Sequence, residues 1–584
     1  MAWGSDAVAA LLRRLDLEYV SLNPGASYRG LHDSLVNYLG NRDPQLLLVL
    51  HEEHAVAIAH GYAKVAQRPM AAVLHSNVGL MHATMALFNA WCDRVPVIAL
   101  GATGPVDAAR RRPWIDWIHT AQDQGALVRQ YTKWDDQPAS IPAALESLLR
   151  ASLLARTAPR GPVYVCLDAA LQEAPLEAAV AIPDPARFQP GPPSQPGPET
   201  LEAAAERLRG ARRPLILAGR VSRNEADWAR RVRLAEALGA RVLTDLKVGA
   251  AFPTAHPLHA SVPGHFLPED ARALVREADA ILSLDWVDLA GTLRQIWGDG
   301  RVTAAVIHCS VDAYVHNGWS MDHQGLPPVD LPILAEPDVV VPPLLARLEG
   351  PRGGRRAPAA RRPRPAPAPA RRPAPRKDAR GVGFHDLAAA LSEAVGAREM
   401  CLIRLPLGWP GDACAFRSPL DYLGSDGGAG IGSGPGMAVG AALALRGSGR
   451  LPVAILGDGD YLMGVTALWT AAHYGIPLLV IVANNRSYWN DEMHQERVAR
   501  QRGRPVENKW IGQRLDAPAL DLAAMARAQG LVGEGPITEA RDLAKGLAAA
   551  IAAVESGAPY VLDVVVPPRE ASPPGASRPE RSTR

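Results

Sequence analysis

Cysteine is scarce in this sequence of 584 residues, which holds five cysteines and no CxxC pair. A disulfide-stapled scaffold is therefore excluded, and so is a structural zinc site with the usual cysteine spacing. Uninterrupted apolar runs of about 18 residues, which a membrane helix requires, are also missing. The N-terminal segment lacks the basic-then-apolar pattern of a secretory signal. These absences predict a protein of the reducing cytoplasm that has no membrane partner.

Positive charge is concentrated in one segment, although the net charge of the whole chain is only +2. Residues 351–380 contain ten arginines, one lysine, one aspartate and eight prolines, which leaves the rest of the chain mildly acidic. Proline holds such a segment extended and prevents it from packing a core, so we predict a linker. The segment has no aromatic side chains that could stack on bases, and no nucleic-acid partner is predicted.

Two further segments divide the chain. Residues 183–200 are rich in proline and mark a boundary, and residues 567–584 have the composition of a disordered tail. Three blocks remain, at 1–182, 198–350 and 381–566, and in each of them apolar strand-like runs alternate with helical patterns. This alternation predicts an α/β fold of three doubly wound parallel-sheet domains. Ligand sites in such sheets lie at the carboxyl ends of the strands.

The most specific motif follows two of these apolar runs. The first run ends in Gly457-Asp458-Gly459-Asp460, and the next ends in Asn484-Asn485, one αβ unit later. That spacing places a carboxylate and an amide oxygen together at one sheet edge, where they suit Mg²⁺, while the glycines admit a phosphate. A simpler interpretation is a glycine–aspartate turn followed by an asparagine helix cap. The complete unit at this spacing favours the metal site.

This unit resembles the diphosphate- and magnesium-binding motif of thiamine diphosphate enzymes, and the similarity extends over nearly the whole chain. The resemblance implies three domains in the order pyrimidine-binding, central and diphosphate-binding. It implies that the Asp458 and Asn485 side chains and the Ser487 backbone carbonyl bind Mg²⁺. It also implies that the diphosphate lies against Gly457, Gly459 and Asp460.

The first block contains the run VLHEEHAVAIAHGYAK, at 49–64. In the family a glutamate stands nine positions before the glycine of a Gly-Tyr pair, and counting back from Gly61 gives Glu52 and not Glu53. The resemblance implies that Glu52 bonds to the pyrimidine N1′ and activates the cofactor. Taken alone, an acidic residue in the first turn of a helix needs no role beyond the helix dipole.

A glycine-rich run at 425–445 enters a predicted helix. Its spacing is similar to the family loop whose bulky aliphatic residue holds the cofactor in a bent conformation. The resemblance assigns that position to Ile431. It also implies that the carbonyl of Ala429 accepts from the cofactor's 4′-amino group.

Two histidines are candidates for the substrate pocket. The run at 74–91 resembles benzoylformate decarboxylase, and the match places His75 at the position of that enzyme's active-site histidine. Ala26 replaces a serine of that family, so a hydroxyl is missing unless Ser27 substitutes. Acetolactate synthases and 2-hydroxyacyl-CoA lyases carry an aromatic-Gln-Glu triplet where this chain has His119 and the two residues after it. This departure makes His119 a candidate for a proton-transferring residue of the pocket. The alternative is that His119 has a purely structural role.

These motifs predict a thiamine diphosphate- and Mg²⁺-dependent enzyme that decarboxylates a 2-oxo acid through an enamine, then releases an aldehyde or joins the product to a second carbonyl. The alternatives are an acetolactate synthase, a 2-hydroxyacyl-CoA lyase acting on an acyl-CoA, and a catalytically silent cofactor-binding homologue, which would be expected to lose Glu52 or the metal ligands. FAD in the central domain stays an open alternative without support, because the run at 217–220 resembles a dinucleotide turn only weakly. The family resemblance implies a homodimer or homotetramer with active sites at subunit interfaces.

Overall fold

The computed structural model describes residues 1–315, 325–350 and 382–567. The predicted linker at 351–380 and all but the first residue of the predicted tail lie outside the described residues. The described residues form three sheets in which every strand pair is parallel. Neighbouring residues along the central strands enter different apolar clusters, so both faces of each sheet are buried. This is the three-domain α/β architecture predicted from the sequence.

The first sheet has six strands in the order β2-β1-β3-β4-β6-β5. The strands are β1 (Tyr19–Leu22), β2 (Gln45–Leu48), β3 (Met70–Leu74), β4 (Val97–Thr103), β5 (Asp135–Asp136) and β6 (Val163–Asp168). The helices are α1 (Gly4–Arg14), α2 (Arg29–Asp33), α3 (Glu52–Ala66), α4 (Ser76–Cys92), α5 (Ile115–Ile118), α6 (Ile141–Arg156) and α7 (Ala169–Gln172). Helices α3 and α4 begin just after the carboxyl ends of β2 and β3, where a ligand site is expected.

The second sheet has five strands in the order β11-β10-β9-β7-β8. The strands are β7 (Pro214–Ala218), β8 (Arg241–Leu243), β9 (Ala280–Leu284), β10 (Ala305–Cys309) and β11 (Leu331–Ile333). The helices are α8 (Pro198–Gly210), α9 (Glu225–Leu238), α10 (Glu269–Glu277), α11 (Leu289–Trp297) and α12 (Pro337–Glu349). Arg223 attaches this domain to the third one by donating to the carbonyl of Leu423 at 2.9 Å.

The third sheet has five strands in the order β12-β13-β14-β16-β15. The strands are β12 (Met400–Arg404), β13 (Leu451–Gly457), β14 (Leu479–Asn484), β15 (Val532–Ile537) and β16 (Tyr560–Val565). The helices are α13 (Phe384–Val395), α14 (Gly434–Ala444), α15 (Asp458–Gly464), α16 (Ala467–His473), α17 (Trp489–Gln501), α18 (Leu522–Ala528) and α19 (Ala540–Glu555). None of the helices in the described part of the chain combines the length and apolarity needed to cross a membrane.

The first and third domains share one apolar core across the crossing of α3 and α14. Glycines permit the close approach of the two helices. A Cβ atom at Gly61 would lie 2.1 Å from the carbonyl oxygen of Met437, and one at Gly440 would lie 1.9 Å from that of Ile58. The beginning of α3 is therefore held against the glycine-rich loop that precedes α14.

Candidate active site

The predicted metal ligands meet at the carboxyl edge of the third sheet. Strands β13 and β14 are hydrogen-bonded neighbours, with Gly457 opposite Ala483, so Asp458 and Asn485 follow adjacent strand ends. The backbone N–H of Ser487 donates to both side chains, to Asp458 Oδ2 at 3.2 Å and to Asn485 Oδ1 at 2.9 Å. One amide therefore holds both side-chain oxygens in the same corner.

The electrostatics of Asp458 suit a cation. Its side chain is buried, and burial raises its pKa to about 6, although the N–H groups of Gly459 and Ser487 oppose the shift. No lysine or arginine within the described ranges forms an ion pair with this carboxylate. A buried carboxylate with backbone donors and no countercharge is unfavourable unless a cation joins it. The donor set, two side-chain oxygens and nearby backbone, is the kind that Mg²⁺ prefers.

Asp460 has partners that the sequence did not predict. Its Oδ1 accepts from the backbone N–H groups of Gly432 at 2.7 Å and Gly434 at 3.2 Å, and its Oδ2 lies 2.8 Å from Nε of Arg404. Arg404 also pairs with Asp426, at the start of the glycine-rich loop. The Asp460 side chain therefore holds the loop, and the space beside Gly457 is open, because a Cβ there would meet no atom within 4 Å. A Cβ at Gly459 would lie 2.6 Å from the Tyr488 ring.

The glycine-rich loop presents an apolar side chain to solvent. Ala429 adopts the left-handed conformation, with φ of +54°, and Ile431 is 39% exposed although it is aliphatic. Met463, which packs against the loop at Gly432, is 56% exposed. Exposed aliphatic side chains beside a buried polar corner form the kind of surface that the ring of a cofactor covers. This arrangement fits the supporting role that the resemblance assigns to Ile431.

Glu52 is the first residue of α3 and is buried. Its Oε2 lies 3.1 Å from Nδ1 of His82, on the neighbouring helix α4. Gly79, one turn earlier on α4, makes room for the carboxylate, because a Cβ there would lie 2.8 Å from Glu52 Oε1. His51 caps α3, its Nδ1 accepting from the N–H of Glu53 at 3.1 Å. The cap fixes the direction in which Glu52 leaves the helix.

Glu53 faces the third domain instead. Its Oε1 accepts from the hydroxyl of Ser433, at the end of the glycine-rich loop, at 2.9 Å. Burial raises the pKa of Glu53, and the nearby Asp460 adds to that increase while the Ser433 hydroxyl opposes it. The two consecutive glutamates thus make contacts with different elements.

The two candidate pocket histidines lie together. The rings of His75 and His119 meet edge to face with centroids 4.7 Å apart, and Nδ1 of His75 lies 2.9 Å from the hydroxyl of Ser27. The Ser27 hydroxyl therefore lies beside His75, next to the position where Ala26 lacks a hydroxyl. Burial lowers the pKa of His75, and His119 lowers it further, so the neutral ring is favoured. A Cβ at Gly25 would lie 2.2 Å from the ring, so only glycine fits there.

Three contacts of the site were not predicted from the sequence. They join His82 to Glu52, Ser433 to Glu53, and Arg404 to Asp460. Each joins residues that are at least 30 positions apart in the sequence. Strand β12, which ends in Arg404, contains only a short apolar run, at 400–403. The only local signal for His82 is its position in the same helix as Gly79.

Comparisons with known proteins identify the same three units. Three family models of the thiamine pyrophosphate enzymes match: the N-terminal TPP binding domain at residues 2–128, the central domain at 201–313 and the C-terminal TPP binding domain at 408–564. A probable acetolactate synthase large subunit of Methanocaldococcus jannaschii is 25% identical, covering 98% of this chain and 93% of that protein. Benzoylformate decarboxylase of Pseudomonas aeruginosa is 26% identical, and the match covers 89% of this chain and 91% of that protein. A thiamine diphosphate-dependent 4-hydroxybenzoylformate decarboxylase of Rhodococcus jostii shares the fold, with a TM-score of 0.77 and 23% identity over 98% of this chain and 100% of that one.

Proposed function

Because the chain belongs to the thiamine pyrophosphate enzyme family, we propose that it binds thiamine diphosphate and Mg²⁺ and decarboxylates a small 2-oxo acid. The product is released as an aldehyde or joined to a second carbonyl compound. One observation supports the proposal: Asp458 and Asn485 share the Ser487 amide in a buried corner, where no lysine or arginine of the described residues pairs with the carboxylate. A catalytically silent homologue would have no need to keep this unbalanced carboxylate together with Glu52.

The residues of the third domain bind the cofactor in this proposal. Asp458, Asn485 and the Ser487 carbonyl would hold Mg²⁺, and the glycines of the 457–460 turn would let a diphosphate approach the backbone. Ile431 supports the rings, and the Ala429 carbonyl accepts from the 4′-amino group. When bound, thiamine diphosphate supplies the electron sink that lets the carboxylate carbon leave as CO₂.

The residues of the first domain handle protons and substrate. Glu52 holds a proton at the pyrimidine N1′, where a buried carboxylate interacts more strongly than it would in water. His75 and His119 line the place where the 2-oxo acid arrives, with Ser27 as a hydroxyl donor to the substrate carboxylate. Since the neutral form of His75 is favoured, it can accept or return a proton during the reaction.

Acetolactate synthase activity is the second candidate, favoured by the match to the M. jannaschii protein over nearly the full chain. The two activities differ in the fate of the decarboxylated product, and a product screen separates them. With pyruvate as the sole substrate, an acetolactate synthase forms acetolactate, whereas a simple decarboxylase releases acetaldehyde. A panel of aliphatic, aromatic and CoA-linked substrates also tests the 2-hydroxyacyl-CoA lyase alternative.

We also propose a homodimer or homotetramer with the active site beside the subunit contact. Trp114 and Trp117, near His119 in sequence, are 71% and 72% exposed, and Ile118, which follows Trp117, is also exposed. Large apolar side chains exposed together are typical of surfaces that a partner covers. Light scattering of the purified chain with cofactor and Mg²⁺ measures this directly, and a catalytically active monomer would contradict it.

Glu52→Gln is the decisive test of the proposed function. It keeps the shape of the side chain but removes the anion, so CO₂ release from the best substrate should fall by about 10²–10⁴-fold. Glu53→Gln is the matched control, because its amide oxygen still accepts from Ser433, and its activity should fall by less than about tenfold. If Glu53→Gln is the inactive variant, the assignment of Glu52 is wrong. If neither changes CO₂ release, the first domain does not activate the cofactor as proposed.

A further inference from the structure

Two histidines surround the carboxylate of Glu52 in a way that the proposed reaction does not use. His51 precedes it in the chain, and His82 contacts it from α4. One potential ligand atom from each of His51, Glu52 and His82 lies within 4.8 Å of the other two. We propose that these residues form a binding site for a transition-metal cation of the Zn²⁺ type, and that a metal bound there competes with the cofactor for Glu52.

To bind a metal, the three ligand atoms, which lie within 4.8 Å of one another, must close and the His82 ring must turn out of its stack. Nδ1 of His82 is already 3.1 Å from Glu52 Oε2, and the rings of His51 and His82 are stacked with centroids 4.7 Å apart. Zinc–ligand bonds of about 2.0–2.1 Å in a tetrahedral site place the ligand atoms roughly 3.4 Å apart. The side chain of His82 is 57% exposed, so it has the freedom to close the remaining gap.

The capping interaction of His51 determines which of its nitrogens can bind the metal. Nδ1 accepts from the N–H of Glu53, so Nε2 remains for a cation. This cap holds the ring in place, as a hydrogen bond to the second nitrogen holds many metal-binding histidines. Glu52 is fixed by the first turn of the same helix, so two of the three ligands are positioned before a metal arrives.

The chemistry of the ligands separates this site from the Mg²⁺ site. Mg²⁺ prefers oxygen ligands and is served by Asp458 and Asn485, whereas imidazole nitrogens suit Zn²⁺, Co²⁺ and Ni²⁺. Two histidines and one glutamate, with a coordination position left open, form a known ligand set for zinc. Excess Mg²⁺ should therefore leave the His51–Glu52–His82 site available.

Competition with the cofactor rests on the proposed function, in which the cofactor uses the carboxylate of Glu52. A carboxylate that ligates a divalent cation cannot at the same time hold the proton of the pyrimidine N1′. Zinc bound at this site should thus lower the affinity of the chain for thiamine diphosphate, and the cofactor should in turn lower the affinity for zinc, as linkage requires.

The experiment is a calorimetric titration of the full-length, cofactor-free chain with Zn²⁺ in saturating Mg²⁺. We expect one tight zinc ion per chain, and an affinity that falls at least about tenfold in His51→Asn and in His82→Asn. Asparagine at position 51 preserves the helix cap, so the loss there reports on the imidazole. His494→Asn is the matched control, since His494 is 56% exposed and has a carboxylate oxygen of Asp491 4.0 Å away. It should bind zinc as the parent does.

Two results would overturn the metal site: no tight zinc binding by the parent chain, or parent-like affinity in both His51→Asn and His82→Asn. A second titration, with thiamine diphosphate bound first, should give at least tenfold weaker zinc binding. Suppose that His51→Asn and His82→Asn lose zinc binding, but bound thiamine diphosphate does not weaken zinc binding to the parent chain. The metal site then stands, and the role of Glu52 in cofactor binding fails. If zinc does not bind although Glu52→Gln abolishes CO₂ release, the proposed function stands and the metal site fails.

Discussion

Arg404 offers the sharpest test of how the glycine-rich loop is held. Its guanidinium lies between the buried carboxylates of Asp426 and Asp460, with Nε 2.8 Å from Asp460 Oδ2. Asp460 in turn accepts from the N–H groups of Gly432 and Gly434. One cation therefore balances two carboxylates, and one of these fixes the loop that carries the proposed support for the cofactor. We predict that Arg404→Gln destabilises the third domain strongly.

The size of the effect follows from the two anions that the substitution leaves behind. Removing one partner of a buried ion pair costs about 3–5 kcal/mol, because the remaining charge is neither solvated nor balanced. Asp460 keeps two backbone donors, whereas Asp426 loses its cation, and burial already raises the pKa of Asp426. Most of the cost should therefore arise at Asp426. Adding Asp426→Asn to Arg404→Gln should recover more than half of the lost stability.

The assay is differential scanning calorimetry of the parent, Arg404→Gln, Asp426→Asn and the double variant. For a domain of roughly 190 residues, 3–5 kcal/mol lowers the melting temperature by about 6–20 °C. In Asp426→Asn the arginine keeps its contact with Asp460, so the single variant should lose less than Arg404→Gln. Two results would refute the argument that unbalanced buried carboxylates cause the loss of stability. One is a melting temperature of Arg404→Gln that falls by less than about 2 °C, and the other is a double variant no more stable than Arg404→Gln.

Two further predictions concern Asp563 and Ser27. Burial raises the pKa of Asp563 from 3.8 to about 6, so the ionised form destabilises the folded chain increasingly as the pH rises from about 4 through 6, by up to about 3 kcal/mol. Asp563→Asn should therefore melt at a higher temperature than the parent at pH 8 and at nearly the same temperature at pH 4, and equal gains at both pH values would contradict this. Ser27→Ala should raise KM for the 2-oxo acid about 10–100-fold and leave cofactor affinity unchanged, because it removes a hydrogen bond to a charged group. Steady-state kinetics and calorimetry check this, and Ser27→Thr, which keeps the hydroxyl, should lose less.

Most strands could be predicted from the sequence. The strands that could not be predicted share one feature, which is their position in the sheets. Twelve of the sixteen strands in the described residues, β1–β4, β6–β10, β13, β14 and β16, coincide with apolar strand-like runs of the three sequence blocks. The other four strands, β5, β11, β12 and β15, lie at sheet edges, and of these β12 alone contains four consecutive apolar residues, at 400–403. An edge strand has one neighbour and needs less burial, so its sequence need not be continuously apolar. β5 consists of Asp135 and Asp136 alone, and β15 contains two glycines and a proline.

The same distinction explains which parts of the site could be predicted. Asp458 and Asn485 follow two apolar central strands of one αβ unit, so their proximity follows from the topology of parallel sheets. Arg404 ends an edge strand, and its partners lie on a loop and a helix that the local sequence does not connect to it. His82 contacts Glu52 across two helices of the first domain. Both contacts depend on how elements pack, which periodicity does not determine.

The first turn of α3 connects the domains that the cofactor would bridge. Consecutive residues of a helix point about 100° apart, so Glu52 and Glu53 leave the same turn in different directions. Glu52 turns towards α4 and His82, while Glu53 turns towards Ser433 and the loop clasped by Asp460. Because the two glutamates are consecutive and Glu53 contacts the loop, the proposed activating carboxylate of Glu52 is held at a fixed distance from the loop that carries Ile431. Because α3 and α14 cross at glycines with little free space, this separation is fixed by helix packing rather than by a flexible linker.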